Sequence, residues 1–212
     1  SIVFRNHTMK LAPRSIIRLI FISHFLANTM ISASLWVPFY IDVMGWSLET
    51  MFQVQMIFQA FLIILEVPSG YFADKFGRNR MVGVAAFAYS IGTFLYSQAT
   101  SIPAVILSEL FLAIASSLLT GAGEALLVDN MYKFGFSETE RQNELSLYNS
   151  VIGMAYGISA PIGSLLVNFF TIRQIMMIGS LTYLTSFVVT LIIGKTQGEK
   201  INRELKLNKF FI

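Results

Sequence analysis

Cysteine is absent from the 212-residue chain. That excludes disulfides, thiolate metal sites, iron–sulfur clusters and a cysteine nucleophile together. Charge is also scarce, at 13% of residues, where soluble domains carry about 25%, and this sets a water-soluble enzyme aside. No ten-residue alternation of apolar and polar positions runs through the chain, which argues against an outer-membrane barrel. What is present is apolar: 55% hydrophobic residues, 19 Phe, 10 Met and a mean hydropathy of +0.65. Four windows lack Asp, Glu, Lys and Arg altogether, at 19–41, 81–108, 145–172 and 174–194. Since about 20 apolar residues cross a bilayer, the chain reads as an all-α polytopic membrane protein.

Turn formers divide it into six expected transmembrane helices, at 16–40, 48–73, 81–97, 102–130, 144–170 and 174–194. The run from Ser97 to Ser101, followed by Pro103, splits the long window after Arg80 into two. Lys and Arg set the orientation: with the N-terminus inside, 14 fall in inner segments and Arg173 alone in an outer one. The expected organisation is a cytoplasmic segment (1–14), a six-helix domain (15–194) and a cytoplasmic amphipathic, basic tail (195–212) leading toward a second half. The net charge of +3 is then topogenic, with anionic lipid as its natural contact. The lipid bilayer is thus a partner, and nucleic acid is not.

Polar residues inside spans are costly and tend to face a bundle interior or a wet cavity. His24, Asn28 and Ser32 are spaced four apart in the first span, so they stack on one face. Gln55, Gln59 and Glu66 share a face of the second, and Glu109, Ser116, Thr120 and Glu124 form a line on the fourth. These, with Asp129 at the end of the fourth span, are candidates for binding a solute or a coupling proton, and helix–helix glue is the competing reading for each. Glu109 lies near the outer end of its helix, within reach of the headgroups. Glu66 precedes Pro68, which frees a backbone carbonyl. Trp36, Phe39 and Tyr40 look like an interfacial belt. The third and sixth spans offer only hydroxyls, and their expected place is against lipid, with helices one, two and four lining a polar path.

The connection between spans two and three reads Gly70-Tyr71-Phe72-Ala73-Asp74-Lys75-Phe76-Gly77-Arg78-Asn79-Arg80. Gly70 permits close helix approach, Gly77 a tight reversal at positive φ, and Asp74 can pair with Arg78 and Arg80 or with a helix dipole. The loop has the parts of a two-state latch. It resembles the motif G-x-L-A-D-R-x-G-R-[KR]-[KR] of the major facilitator superfamily at Gly70, Ala73, Asp74, Gly77, Arg78 and Arg80, with Phe72 for Leu, Lys75 for Arg and Asn79 for a basic residue. Glu66 to Ser69 is similar to the E-[VI]-P-[ST] found ahead of it in bacterial members. Gly121 to Asp129, with Glu124 inside it, resembles the end of helix four in bacterial permeases, many of them exporters. Gly153, Gly157, Pro161 and Gly163 loosely resemble the glycine-proline signature of antiporters, against a plain reading of small-residue helix packing. No arginine stands in the middle of the fourth span, where proton antiporters commonly have one.

The resemblance implies an N-terminal six-helix half built of two three-helix repeats, working by alternating access in a bacterial inner membrane. Asp74 would be the latch acid, and Gly70, Lys75, Gly77, Arg78 and Arg80 its surround. It implies a small-molecule substrate, a coupling proton or cation, and a second six-helix half, whether a separate chain, a second copy or the rest of a longer protein. Efflux is slightly preferred over uptake. The alternative is a non-transporting membrane subunit that binds a partner protein through the same polar faces. No cofactor, metal centre or enzymatic chemistry is expected.

Overall fold

The computed structural model describes the backbone of residues 12–210 and the side chains of residues 12–195. The segment ahead of residue 12 and the amphipathic face expected after residue 195 lie outside them. Every regular element among the described residues is helical. α1 is a broken helix over Pro13–Val43, α2 runs Leu48–Phe76, α3 Arg78–Gln98, α4 Ile102–Lys133, α5 Glu138–Leu166 and α6 Ile172–Phe210. Four of them are long and apolar enough to cross a membrane, at Pro13–Val43, Leu48–Phe76, Ile102–Lys133 and Ile172–Lys195.

The helix ends follow local chemistry. Ser47 caps α2 by accepting the Thr50 amide at 3.2 Å. Gly77, at φ +92°, turns α2 into α3. α5 begins six residues ahead of the expected 144, because Ser137 and Glu140 form a reciprocal capping box: the Glu140 amide donates to Ser137 Oγ at 3.3 Å and the Ser137 amide to Glu140 Oε2 at 2.9 Å. The Ser137 amide, and then its hydroxyl, hold the Glu140 carboxyl below the usual carboxylate range.

α1 occupies the span expected over 16–40 but is not the unbroken helix expected there. Its first α-helical stretch ends at Asn28, where Asn28 Nδ2 donates to the His24 carbonyl and Thr29 Oγ1 to the Phe25 carbonyl, each at 2.7 Å. Such side-chain bonds compete with the backbone ladder. The chain resumes through a 3₁₀ turn at Ala33–Leu35 and widens into a π turn at Phe39–Val43. The wide turn lets the adjacent Phe39 and Tyr40 both lie fully inside the bundle. The belt expected at the membrane surface therefore keeps at most Trp36, since Phe39 and Tyr40 are core.

A second correction concerns α3, which packs chiefly against α4 and α6 in the middle of the bundle instead of facing lipid. Small residues make this possible. Ala85, Ala86 and Gly92 are buried, and a Cβ on Gly92 would lie 2.8 Å from Leu112 Cδ2. The hydroxyls of α6 are likewise internal: Ser186 Oγ donates to the Ser23 carbonyl at 2.7 Å, and the Thr190 carbonyl accepts Asn79 Nδ2 at 3.2 Å. One apolar cluster gathers Ile20, Val82, Leu127, Met131 and Ile193 near the Gly77 loop, and a second gathers Phe39, Tyr40, Tyr96, Val105 and Met176 at the opposite end. α2 is apolar along its length yet largely uncovered, with Met56, Ile63 and Val67 exposed.

Candidate functional site

At the end of the bundle away from Gly77, three helices bring hydrogen-bond donors to one carboxyl. Glu109, from the second turn of α4, is 2% exposed, so it does not reach a headgroup region. Its Oε1 accepts from Gln55 Nε2 of α2 at 2.7 Å, from the Tyr96 hydroxyl of α3 at 2.5 Å and from the Tyr40 hydroxyl of α1 at 3.1 Å. Gln55 also donates to Tyr40 at 3.1 Å, and the Tyr40 and Tyr96 hydroxyls are bonded to each other. Oε2 takes no hydrogen bond from the described residues and is not sealed in. Glu109 and Gln55 line a cavity of about 340 Å³ that extends toward the middle of the bundle, past Trp36, Phe58, Tyr89 and Tyr183. In its wall Tyr89 and Ser116 share a 2.7 Å hydrogen bond.

The remaining polar candidates do not join this cavity. His24 is fully buried, and among the described residues neither ring nitrogen has a hydrogen-bond partner. It lies edge-on to the Tyr148 ring of α5 at 5.4 Å. Asn28 Oδ1 accepts from the Tyr156 hydroxyl at 2.7 Å, so the first-span stripe faces α5. Ser32 is buried in the break of α1. Gln59, Glu66, Thr120 and Glu124 are exposed. The four-residue spacing put His24 and Asn28 on one face, but that face meets α5 instead of lining a path with the second and fourth spans, whose stripes reach the cavity only at Gln55, Glu109 and Ser116.

Tyr89 and Tyr96 are not among the residues singled out in the sequence, and Tyr40 reads there as part of an interfacial belt; the structure brings Tyr40 and Tyr96 to Glu109 and Tyr89 to the cavity wall. A signal existed: Tyr89 and Tyr96 are seven apart and so share one face of α3.

At the Gly77 end, Arg78 Nη1 donates to Asp129 at 2.8 Å and to the Ala125 carbonyl at 3.2 Å, while Asp74 lies 3.7 Å from Arg78 Nη2. Asp129, a candidate for the polar path, belongs instead to the loop cluster. Arg78, Arg80, Asp129 and Lys133 line a second cavity, of about 330 Å³. Lys75 lies against the Tyr71 and Phe76 rings. A side chain at Gly70 would meet open space, and the close approach is made from the other side, by Gly121 onto the Gly70 backbone. Of the helix-five set, Gly163 packs against the Ile31 carbonyl, whereas Gly153 and Gly157 face open space and Pro161 is exposed.

Long apolar helices around a largely apolar, ring-lined cavity with one buried carboxyl in its wall define a multi-pass helical membrane protein. Residues 19–210 match the Major Facilitator Superfamily, and the chain belongs to it. Among curated relatives, the riboflavin transporter RibZ of Clostridioides difficile is 24% identical over 123 residues, which are 57% of this chain and 26% of that protein. An uncharacterised MFS-type transporter of Methanocaldococcus jannaschii is 22% identical over 154 residues, 69% of this chain and 38% of the relative. The matched part therefore spans between a quarter and two fifths of the relatives' length. No solved structure matches the chain.

Proposed function

We propose that residues 15–194 form one six-helix half of a secondary transporter, with both termini cytoplasmic, that moves a small solute across the membrane by alternating access. The Glu109 cavity is the solute site, a proton or cation is the coupling ion, and efflux is the preferred direction. The observation that carries this reading is a buried carboxyl with an open oxygen in a ring-lined cavity of about 340 Å³, within the range of about 300–1,000 Å³ typical of ligand pockets. The partly uncovered faces of α2 and α5, with Met56, Ile63, Met154 and Leu165 exposed, suit contact with a second half and with lipid.

Because residues 1–212 contain no cysteine, Ser116→Cys places the one thiol of this segment on the cavity wall, and cysteines elsewhere in the intact protein are replaced by serine first. Alternating access predicts that a membrane-impermeant maleimide labels it from either face of oriented vesicles holding the intact protein, one face at a time as the conformational balance is shifted. Labelling confined to one face under all conditions would instead fit a non-transporting subunit.

A further inference from the structure

The composition of the Glu109 cavity speaks to the charge of what enters it. Among the described residues no Lys, Arg or His lines it, so an anion would find no counter-charge there. Aromatic rings make up much of its wall, from Trp36, Tyr40, Phe58, Tyr89 and Tyr183, with Tyr89 and Tyr183 stacked at 5.0 Å and 21° between their planes. Ring faces carry negative potential and attract cations, most strongly where water is excluded.

The hydrogen bonding of Glu109 points the same way. Oε1 is contacted only by neutral groups, Gln55 Nε2 and the mutually bonded hydroxyls of Tyr40 and Tyr96, while Oε2 takes no hydrogen bond from the described residues and Glu109 lines the cavity. All three donors are neutral, so the described network gives the carboxylate no balancing positive charge. A buried carboxylate in that position is costly, and a ligand cation is the partner that offsets the cost. The volume suits two or three fused rings and leaves little room for a peptide or an oligosaccharide.

We propose that the cavity binds an aromatic organic monocation, its rings among Trp36, Phe58, Tyr89 and Tyr183 and its positive centre at Glu109 Oε2. This rests on the reading of the cavity as the solute site.

The test uses a matched pair of probes on the purified intact protein at mildly alkaline pH: 10-methylacridinium, a permanent cation, and acridine, the same ring system uncharged. Binding is read by calorimetry and by protection of Ser116→Cys from the maleimide. The cation is expected to bind roughly tenfold or more tightly than acridine, and Glu109→Gln to bring the two affinities together while acridine binding persists. Equal affinities in the unaltered protein would overturn the charge assignment, and that comparison does not depend on whether the Gln variant folds. Protection by acridine or by uncharged riboflavin, without protection by 10-methylacridinium, would also overturn it while leaving a solute site in place. If none of the three probes binds or protects, the charge assignment and the solute-site reading fall together.

Discussion

Gly163 shows how much one missing side chain decides. A Cβ there would collide with the backbone carbonyl of Ile31 and approach Ser34 Oγ at 3.1 Å. That contact holds α5 to the break in α1, together with the Ser34 hydroxyl donating to the Ala160 carbonyl at 3.2 Å. A carbonyl cannot rotate away as a side chain can, so relief requires the two helices to part. Gly153 and Gly157 belong to the same sequence pattern but meet nothing within contact distance. Gly163→Ala should therefore lower the melting temperature of the detergent-solubilised protein by several degrees. Gly153→Ala and Gly157→Ala should leave it unchanged or raise it, since alanine in a helix interior is better than glycine by about 0.5–1 kcal/mol. Equal loss at all three would mean that α5 packs along its whole length, against the geometry described. The sequence pattern alone could not separate these glycines, because the small-residue spacing is the same whether or not a neighbour fills the gap.

At the scale of the helices, the hydrophobic windows marked the elements and local end signals fixed their limits. The Ser137-x-x-Glu140 box stood in the sequence ahead of the fifth expected span, and it moves the start of α5 well before the apolar run. Ser137→Ala removes the acceptor for the Glu140 amide and should cost about 1 kcal/mol of local stability, seen as faster amide exchange in the first turn of α5. Glu140 returns a bond to the Ser137 amide as a carboxylate, with its titration depressed. The contribution is thus present above the ordinary Glu range and fades as pH falls through the lowered value. An exchange rate indifferent to both changes would show that the turn is held by other contacts, such as Arg141 donating to the Phe136 carbonyl at 2.6 Å. The positive φ at Gly77 was legible for the same reason as the cap: a local constraint with few solutions. The break in α1 and the central place of α3 were not. Both depend on neighbours, Asn28 and Thr29 turning back onto their own helix in one case, and in the other small residues that are as compatible with lipid as with a close-packed partner. Tyr40 and Tyr96 were obscured likewise, because a tyrosine near a span end is usually at the interface, and only the tertiary arrangement turns both hydroxyls onto Glu109.

Across the whole molecule, the two acids around Arg78 differ in how firmly this unit holds them. Asp129 is bonded at 2.8 Å from another helix, and the Ala125 carbonyl shares the same guanidinium nitrogen. Asp74 lies 3.7 Å away one turn earlier, with a side chain 76% exposed. Pairs that exposed contribute roughly 0–1 kcal/mol, so Asp74 adds little to the stability of this bundle. A group that stabilises its own half so weakly is free to bind across to another body, and Asp74 sits at the end of α2, the helix with the most extensive uncovered apolar face. If it latches two halves in one of two transport states, losing its charge shifts the balance of states without unfolding either. Asp74→Asn should leave membrane insertion and the melting temperature nearly unchanged, yet reduce transport by the assembled protein about tenfold or more, since a latch worth 1.4 kcal/mol or more governs a tenfold population. Asp129→Asn should act in the reverse sense, lowering the melting temperature first, because it strips Arg78 of its shortest ion pair. Transport and stability measured on both variants separate the two roles, and unchanged transport in Asp74→Asn would remove the latch assignment.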